Sequence, residues 1–203
     1  MISLDFTQLH PRDAYKIMIS AIVPRPIAFV TTISPNGVPN AAPFSFFNGV
    51  SSKPPCLVFS VTLRPDGNKK DTLRNIEANG ECVVHVASEW IAGAVNHTSG
   101  EFPYETDEIQ LTGLTPLPSL KVKPPRIAES PVHFECVTEK LVTVGEGIGS
   151  ATLVIARIVQ AHIRETAYQN GAVTLDQIKP LSRLGGSDYG LTSGVFSLPR
   201  PTV

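Results

Sequence analysis

The chain has 203 residues, room for one core, and a single domain over residues 1–203 is expected. Its 17 Lys and Arg against 18 Asp and Glu provide no field to steer toward a phosphate polymer, and no five like charges run together, so nucleic acid is not an expected partner. Charged residues are 17% of the chain, against about 25% in ordinary soluble chains, which leaves surface to be covered by a subunit interface or a bound cofactor.

The opening MISLDFTQLHPRD lacks the basic-then-apolar order of a signal peptide. The apolar run from Ile17 to Val30 is broken by Pro24, Arg25 and Pro26, too soon for a membrane span. The expectation is a cytoplasmic protein with no membrane partner. Cys56, Cys82 and Cys136 lie far apart in strand-like runs without CxxC or Cys/His spacing, and read as reduced, buried small side chains with no metal site.

In chain order, PRDAYKIMISA (11–21) is predicted as a short helix, with Pro11 in its first turn and Pro24 and Pro26 beyond its end. IAFVTTI (27–33) is a strand, SPNG is a turn in which Gly37 supplies the positive φ, and VPNAAPFSFF (38–47) returns as the other arm of a hairpin. A polar break follows, and CLVFSV (56–61) and ECVVHVA (81–87) are further strands. Between them KKDTLRNIEANG is a compact helix, with Asp71 as N-cap, Leu73 and Ile76 on one face and Asn79-Gly80 as the stop. Ser88 is expected to cap another short helix through Asn96.

From Thr98 to Pro131 the chain is proline-rich with little periodicity, and reads as an ordered wrap serving as a lid or contact surface. Strands resume with VHFECVTEKLVTV, a GEGIGS turn and ATLVIARIVQAHIRE (151–165), before a turn-rich tail. Six or seven short strands joined by hairpins, without alternating crossover helices, favour an antiparallel barrel.

No GxGxxG, P-loop, GxSxG or HExxH is present, and the five histidines are scattered. The informative clusters are polar breaks beside apolar strands. Ser45, Asn48, Ser51 and Ser52, with turn N–H groups near Gly49, offer donors and acceptors suited to a planar heterocycle edged with carbonyls and ring nitrogens. Lys69 and Lys70 precede a helix start whose free N–H groups and dipole attract an anion, with Thr72 and Arg74 close by. Thr31 and Thr32 form a third cluster, for which cross-strand packing is the ordinary account.

Together the segments PRPIAFVTT, NAAPFSFFNGVSSKPP, KKDTLRNI, GLTPLPSLKVKPPRIAESPVHFEC and LSRLGG resemble the flavin reductase-like family of FMN-binding split barrels, which includes flavoredoxins. The resemblance runs through nearly the whole chain. It implies a six-stranded antiparallel Greek-key split β-barrel with short peripheral helices, a homodimer, and bound FMN at or near the subunit interface. The segment holding Ser45, Phe46, Asn48, Gly49, Val50, Ser51 and Ser52 would wrap the flavin. Thr31 and Thr32 would approach the isoalloxazine, and Lys70, Asp71 and Thr72 would stand near the phosphate, with Asp71 capping rather than touching it.

The implied activity is transfer of hydride or electrons from NAD(P)H through FMN to free flavin or a redox partner protein. A flavoredoxin-like carrier without its own nicotinamide site, or a ligand-binding barrel without enzymatic activity, remain alternatives. Arg183 and Tyr189 in SRLGGSDYG are candidates for closing over the ring or reaching across a dimer.

Overall fold

In the computed structural model, which describes residues 1–192 and 194–202, proline and glycine punctuation sets most element boundaries. Helix α1 spans Pro11–Ala21, as expected, followed by the short strand β1 (Arg25–Pro26) and by β2 (Ala28–Ile33). Gly37, at φ 86°, turns the chain into β3 (Pro39–Phe44). The polar break is not a turn but a strand, β4 (Phe47–Ser52), which pairs with β5 (Pro55–Thr62). Its residues from Asn48 on are exposed, so this edge strand needs no apolar alternation and gives no strand signal in sequence.

Helix α2 (Asp71–Asn79) ends at Gly80 in the left-handed region, φ 71°. Asp71 is its first helical residue rather than its N-cap; Lys70 holds the N-cap position without a side-chain cap. Strand β6 (Glu81–Val86) leads to a 3-10 turn at Glu89–Ile91 and then to α3 (Ala92–His97), where Ser88 donates to the Ile178 carbonyl (2.6 Å) instead of capping. The proline-rich segment carries α4 (Glu108–Leu111) and a small ladder of β7 (Pro116–Leu117) with β8 (Arg126–Ile127). The long strands β9 (Val132–Val144) and β10 (Ala151–Ile163) follow, and the remaining chain adds the hairpin β11 (Tyr168–Gln169) with β12 (Ala172–Val173), α5 (Leu175–Ile178), β13 (Leu181–Arg183) and β14 (Tyr189–Leu191).

The main sheet is antiparallel, in the order β3-β2-β6-β9-β10-β5-β4, seven strands rather than six, and a smaller sheet joins β1, β13 and β14. The fold is a split β-barrel: β3 and β4 are the two edges of the sheet, and Phe44 of β3 packs on Phe59 of β5 with centroids 5.4 Å apart.

Alternation along the strands divides the core in two. Ala28, Val30, Phe59, Val61, Val84 and Cys136 face the barrel interior, closed at one end by Leu73 and Ile76 of α2. Phe29, Ile91, Val95, Ile109 and Ile127 form a second cluster involving β2, α3, α4 and the proline-rich segment. Each large apolar side chain so buried contributes about 1.5–3 kcal/mol. All three cysteines are buried free thiols.

The wrap is anchored by polar groups of the sheet. Thr31 Oγ1 donates to the Pro125 carbonyl (2.6 Å), Glu135 accepts from Leu120 N–H (2.8 Å) and Lys121 N–H (2.6 Å), and Glu81 accepts from Lys123 N–H (2.8 Å). These bonds satisfy backbone groups that a loop without periodicity cannot pair with itself.

Candidate functional site

The site starts at the tip of α2. The first N–H groups of a helix have no intrahelical partner, and Lys70, Asp71 and Thr72 bring that tip to the edge of a groove. Asp71 does not compete for an anion there, because its carboxylate is taken by Arg64 Nη2 (2.5 Å) and Arg74 Nη1 (3.5 Å). Burial holds the Lys70 ammonium below the ordinary lysine range; Glu101 works against this shift and Arg64 with it. A partly desolvated cation beside unpaired N–H groups gains from a bound anion.

β3 forms the floor of the groove through Asn40, Ala42 and Pro43, and the chain from Thr98 to Phe102 forms a wall. A second depression, lined by Ile27, Pro43, Ser45, Ser99, Arg183 and Tyr189, continues it. Pro43 and Ser99 line both, so one groove runs from Lys70 to Ser45 and Tyr189. The far wall is fixed by the tail: Tyr189 donates to Asn96 Oδ1 (3.2 Å), and the Arg183 guanidinium lies 4.5 Å from the Tyr189 ring while bonding the carbonyls of Asp188 and Gly186.

Beneath the groove lies a buried polar network. Asn40 Oδ1 accepts from Thr72 Oγ1 (2.9 Å) and Thr32 Oγ1 (3.2 Å), and its amide donates to Glu108 Oε1 (2.9 Å). Asn75 donates to Thr32 Oγ1 (3.0 Å) and accepts from the Tyr104 hydroxyl (2.7 Å). Glu108 also accepts from the Ala41 N–H (3.2 Å), and burial raises its pKa above the ordinary carboxylate range. Satisfied networks of this kind fix one arrangement of the elements they join.

Of the residues expected at the site, Lys70, Asp71, Thr72 and Ser45 line the groove. Thr32 lies directly below, in the network. Thr31 does not face it: successive strand residues point to opposite sides, and the Thr31 hydroxyl is spent on Pro125. Phe46 packs near Tyr15 of α1 and Arg25. Asn48, Gly49, Val50, Ser51 and Ser52 are exposed on β4 and do not line this groove; Ser51 donates to the Pro54 carbonyl. Lys69 is paired with Glu77 (2.7 Å). Asn40, Pro43, Arg64, Ser99 and Glu108 line the groove without having been anticipated, and no local pattern marks them.

Sequence comparison adds the decisive observation: the model of the flavin reductase like domain matches residues 19–181. The chain belongs to the flavin reductase-like family. Component B of the nitrilotriacetate monooxygenase of Bacillus cereus is 37% identical, with a TM-score of 0.93 over 98% of both chains. The 2-nitrobenzoate 2-nitroreductase of Pseudomonas fluorescens is 30% identical, with a TM-score of 0.89 over 99% of this chain and 97% of that one. An uncharacterized protein of Halalkalibacterium halodurans is 42% identical over 204 residues, covering 100% of this chain and 98% of the relative. Among the described residues of this flavin reductase-like protein, no helix is long and apolar enough to cross a membrane, and no group of three His, Cys, Asp or Glu is placed to hold a metal ion.

Proposed function

We propose that this protein is an FMN-dependent oxidoreductase that takes hydride from NADH or NADPH and passes electrons to free flavin or to an acceptor protein. The observation that carries this reading is the continuity of the groove from the cationic tip of α2 to Ser45 and Tyr189. FMN has a dianionic phosphate at one end and a planar ring with polar and apolar edges at the other. The donor set fits that order: Lys70, Arg64 and the free N–H groups of α2 for the phosphate, Thr72 and Ser99 along the middle, and Ser45, Ile27, Pro43 and Tyr189 for the ring.

Bound FMN would supply the hydride-accepting chemistry. The chain's own residues bind and orient it. Asn40, Thr32 and Asn75 hold the phosphate end in register with the sheet, and the Arg183–Tyr189 wall limits water at the ring end. Membership of the family and the likeness to a monooxygenase component and a nitroreductase support redox work at this groove.

A homodimer belongs to the same reading. Helix α1 has no buried residue, and Tyr15, Met18, Ile22 and Val23 stand exposed. The exposed edge strand β4, with Val50 uncovered, is the second surface a partner copy would cover, bringing Asn48–Ser52 toward its flavin.

The absorption spectrum of purified protein, followed by anaerobic addition of each nicotinamide, tests cofactor and donor together. Expected are a flavin spectrum and its bleaching by NADH or NADPH. Tight FMN with both nicotinamides inert would turn the reading to a flavoredoxin-like carrier, and a colourless protein unshifted in Tm by FMN would end it. Sedimentation velocity tests the dimer.

A further inference from the structure

We propose that a second ligand site, for a small carboxylate or phosphate-type anion, lies between Arg126, Arg164, His133 and His162, in a pocket that shares no residue with the flavin groove. The proposal does not depend on the flavin reading.

The pocket is built on a ladder of histidines. His85 of β6, His133 of β9 and His162 of β10 are direct cross-strand partners, with ring centroids 5.1 and 6.1 Å apart. His85 is fully committed: its Nδ1 lies 2.9 Å from the Phe29 carbonyl, and its Nε2 accepts from the Ile127 N–H at 3.0 Å, which fixes a neutral ring. His162 Nε2 lies 2.6 Å from Glu135 Oε1. His133 differs. Its Nε2, 2.8 Å from the Ser130 carbonyl, must donate there, and its Nδ1 has no partner although the residue is only 6% exposed. An orphaned nitrogen at that depth is costly and is not explained by anchoring the wrap.

The cations around it are held chiefly by carbonyls, and the acid within reach of Arg126 is Glu135, 4.0 Å from its Nε. Arg126 is locked by two bonds to the Pro118 carbonyl (Nε 3.1 Å, Nη2 2.9 Å). Arg164 bonds the Glu129 carbonyl (3.3 Å) with its guanidinium 5.3 Å from the Trp90 ring. The Glu129 carboxylate is turned away to the Thr115 N–H, and Glu135, 4.0 Å from Arg126, is fully buried and occupied by Leu120, Lys121 and His162. No carboxylate lines the pocket. Two positioned guanidinium groups without a carboxylate between them form a cradle for an oxyanion.

The same anion gives His133 Nδ1 its missing role. Burial is the main cause disfavouring a proton on His133, Arg126 from β8, His162 from β10 and the neighbouring His85 of β6 add to it, and the Ser130 and Ile127 backbones favour one; Arg164 stands beyond β10 and Glu135 on its own strand. An anion between the arginines offsets that repulsion, so binding takes up a proton at Nδ1 and tightens as pH falls.

Calorimetric titration of the whole protein with sodium sulfate, and separately with sodium acetate, at fixed ionic strength tests this. Sulfate keeps its charge across the neutral range, so any pH dependence belongs to the protein. Saturable binding at millimolar concentration or below is expected, stronger at mildly acidic pH, and weakened about tenfold by Arg164→Gln. Arg164 is exposed, so this variant should keep its Tm and its FMN affinity. His133→Gln should abolish the pH dependence while some binding survives. Preference for sulfate or acetate distinguishes a phosphate-type from a carboxylate-type ligand. Absence of saturable heat with either salt, or binding indifferent to Arg164→Gln, overturns the proposal.

Discussion

Asn40 Oδ1 accepts a hydrogen bond from Thr72 Oγ1 at 2.9 Å, so a side chain of β3 on the groove floor holds the tip of the helix that presents Lys70. The same oxygen serves Thr32, and the same amide serves Glu108. Asn40→Leu therefore leaves the Thr72 and Thr32 hydroxyl protons without an acceptor and Glu108 Oε1 without a donor, while Thr32 still accepts from Asn75 and Glu108 Oε2 from the Ala41 N–H. At about 1–3 kcal/mol for each buried group left unsatisfied, the loss is expected to total about 2–4 kcal/mol once the structure relaxes. Urea unfolding should show a lower midpoint with an unchanged slope, since the surface exposed on unfolding is the same. FMN affinity should fall as well, because the helix tip loses its tether.

The two adjacent lysines should separate cleanly. Lys69 is already paired with Glu77, whereas Lys70 lines the groove. A hydrogen bond to a charged group is worth about 1.5–3 kcal/mol, so Lys70→Ala should weaken FMN binding by about 10- to 100-fold. Lys69→Ala should change it less than about threefold, as for an exposed pair. Quenching of flavin fluorescence measures both. Equal effects of the two variants would remove the phosphate assignment.

Arg25 ties three parts of the chain together. It is 5% exposed, and its guanidinium bonds the carbonyls of Ile19 (2.6 Å), Ile22 (2.5 Å) and Leu184 (2.9 Å) while Nε reaches Ser45 at 3.5 Å. Arg25→Lys keeps the charge but cannot reproduce the fork. It is expected to cost about 2–3 kcal/mol and to release the tail from the groove. Hydrogen exchange should rise first at residues 181–191 and at the end of α1. Protection unchanged there would show that the tail is held by other contacts.

The elements bounded by proline and glycine were legible in the sequence, because those residues act through local backbone geometry: α1, the Gly37 turn, the end of α2 at Gly80, and the long β9 and β10. Strand β4 was not, since an exposed edge strand is under no demand for apolar alternation. Nor was the sheet of β1, β13 and β14, whose strands of two or three residues carry no periodicity. At the site, Lys70 and Ser45 could be read from their place beside a helix start and a strand end. Asn40, Pro43 and Ser99 could not, because they meet only when β3, α2 and the residues before Phe102 pack together. The adjacency of Thr31 and Thr32 did carry information that the paired expectation passed over. Period two along a strand allows only one of them to face a given side.

The histidine ladder predicts how stability responds to acid. Burial, reinforced by His133, lowers the pKa of His85 from 6.5 to about 3, and burial lowers that of His133 from 6.5 to about 4. In both cases the folded protein binds the proton more weakly than the unfolded chain. Their contribution is therefore complete above about pH 6.5 and is lost as pH falls toward about 4 for His133 and about 3 for His85. Within that window each removes up to about 1.4 kcal/mol per pH unit. Glu108 has the opposite sign: its raised pKa adds stability on the acid side, which is lost as pH rises through its folded value, and so partly offsets the histidines. Urea midpoints followed from pH 7.5 to pH 5 should decline for the native sequence. They should decline less steeply for His133→Gln, which cannot take up the proton. Parallel slopes for the two proteins would show that the acid sensitivity arises elsewhere.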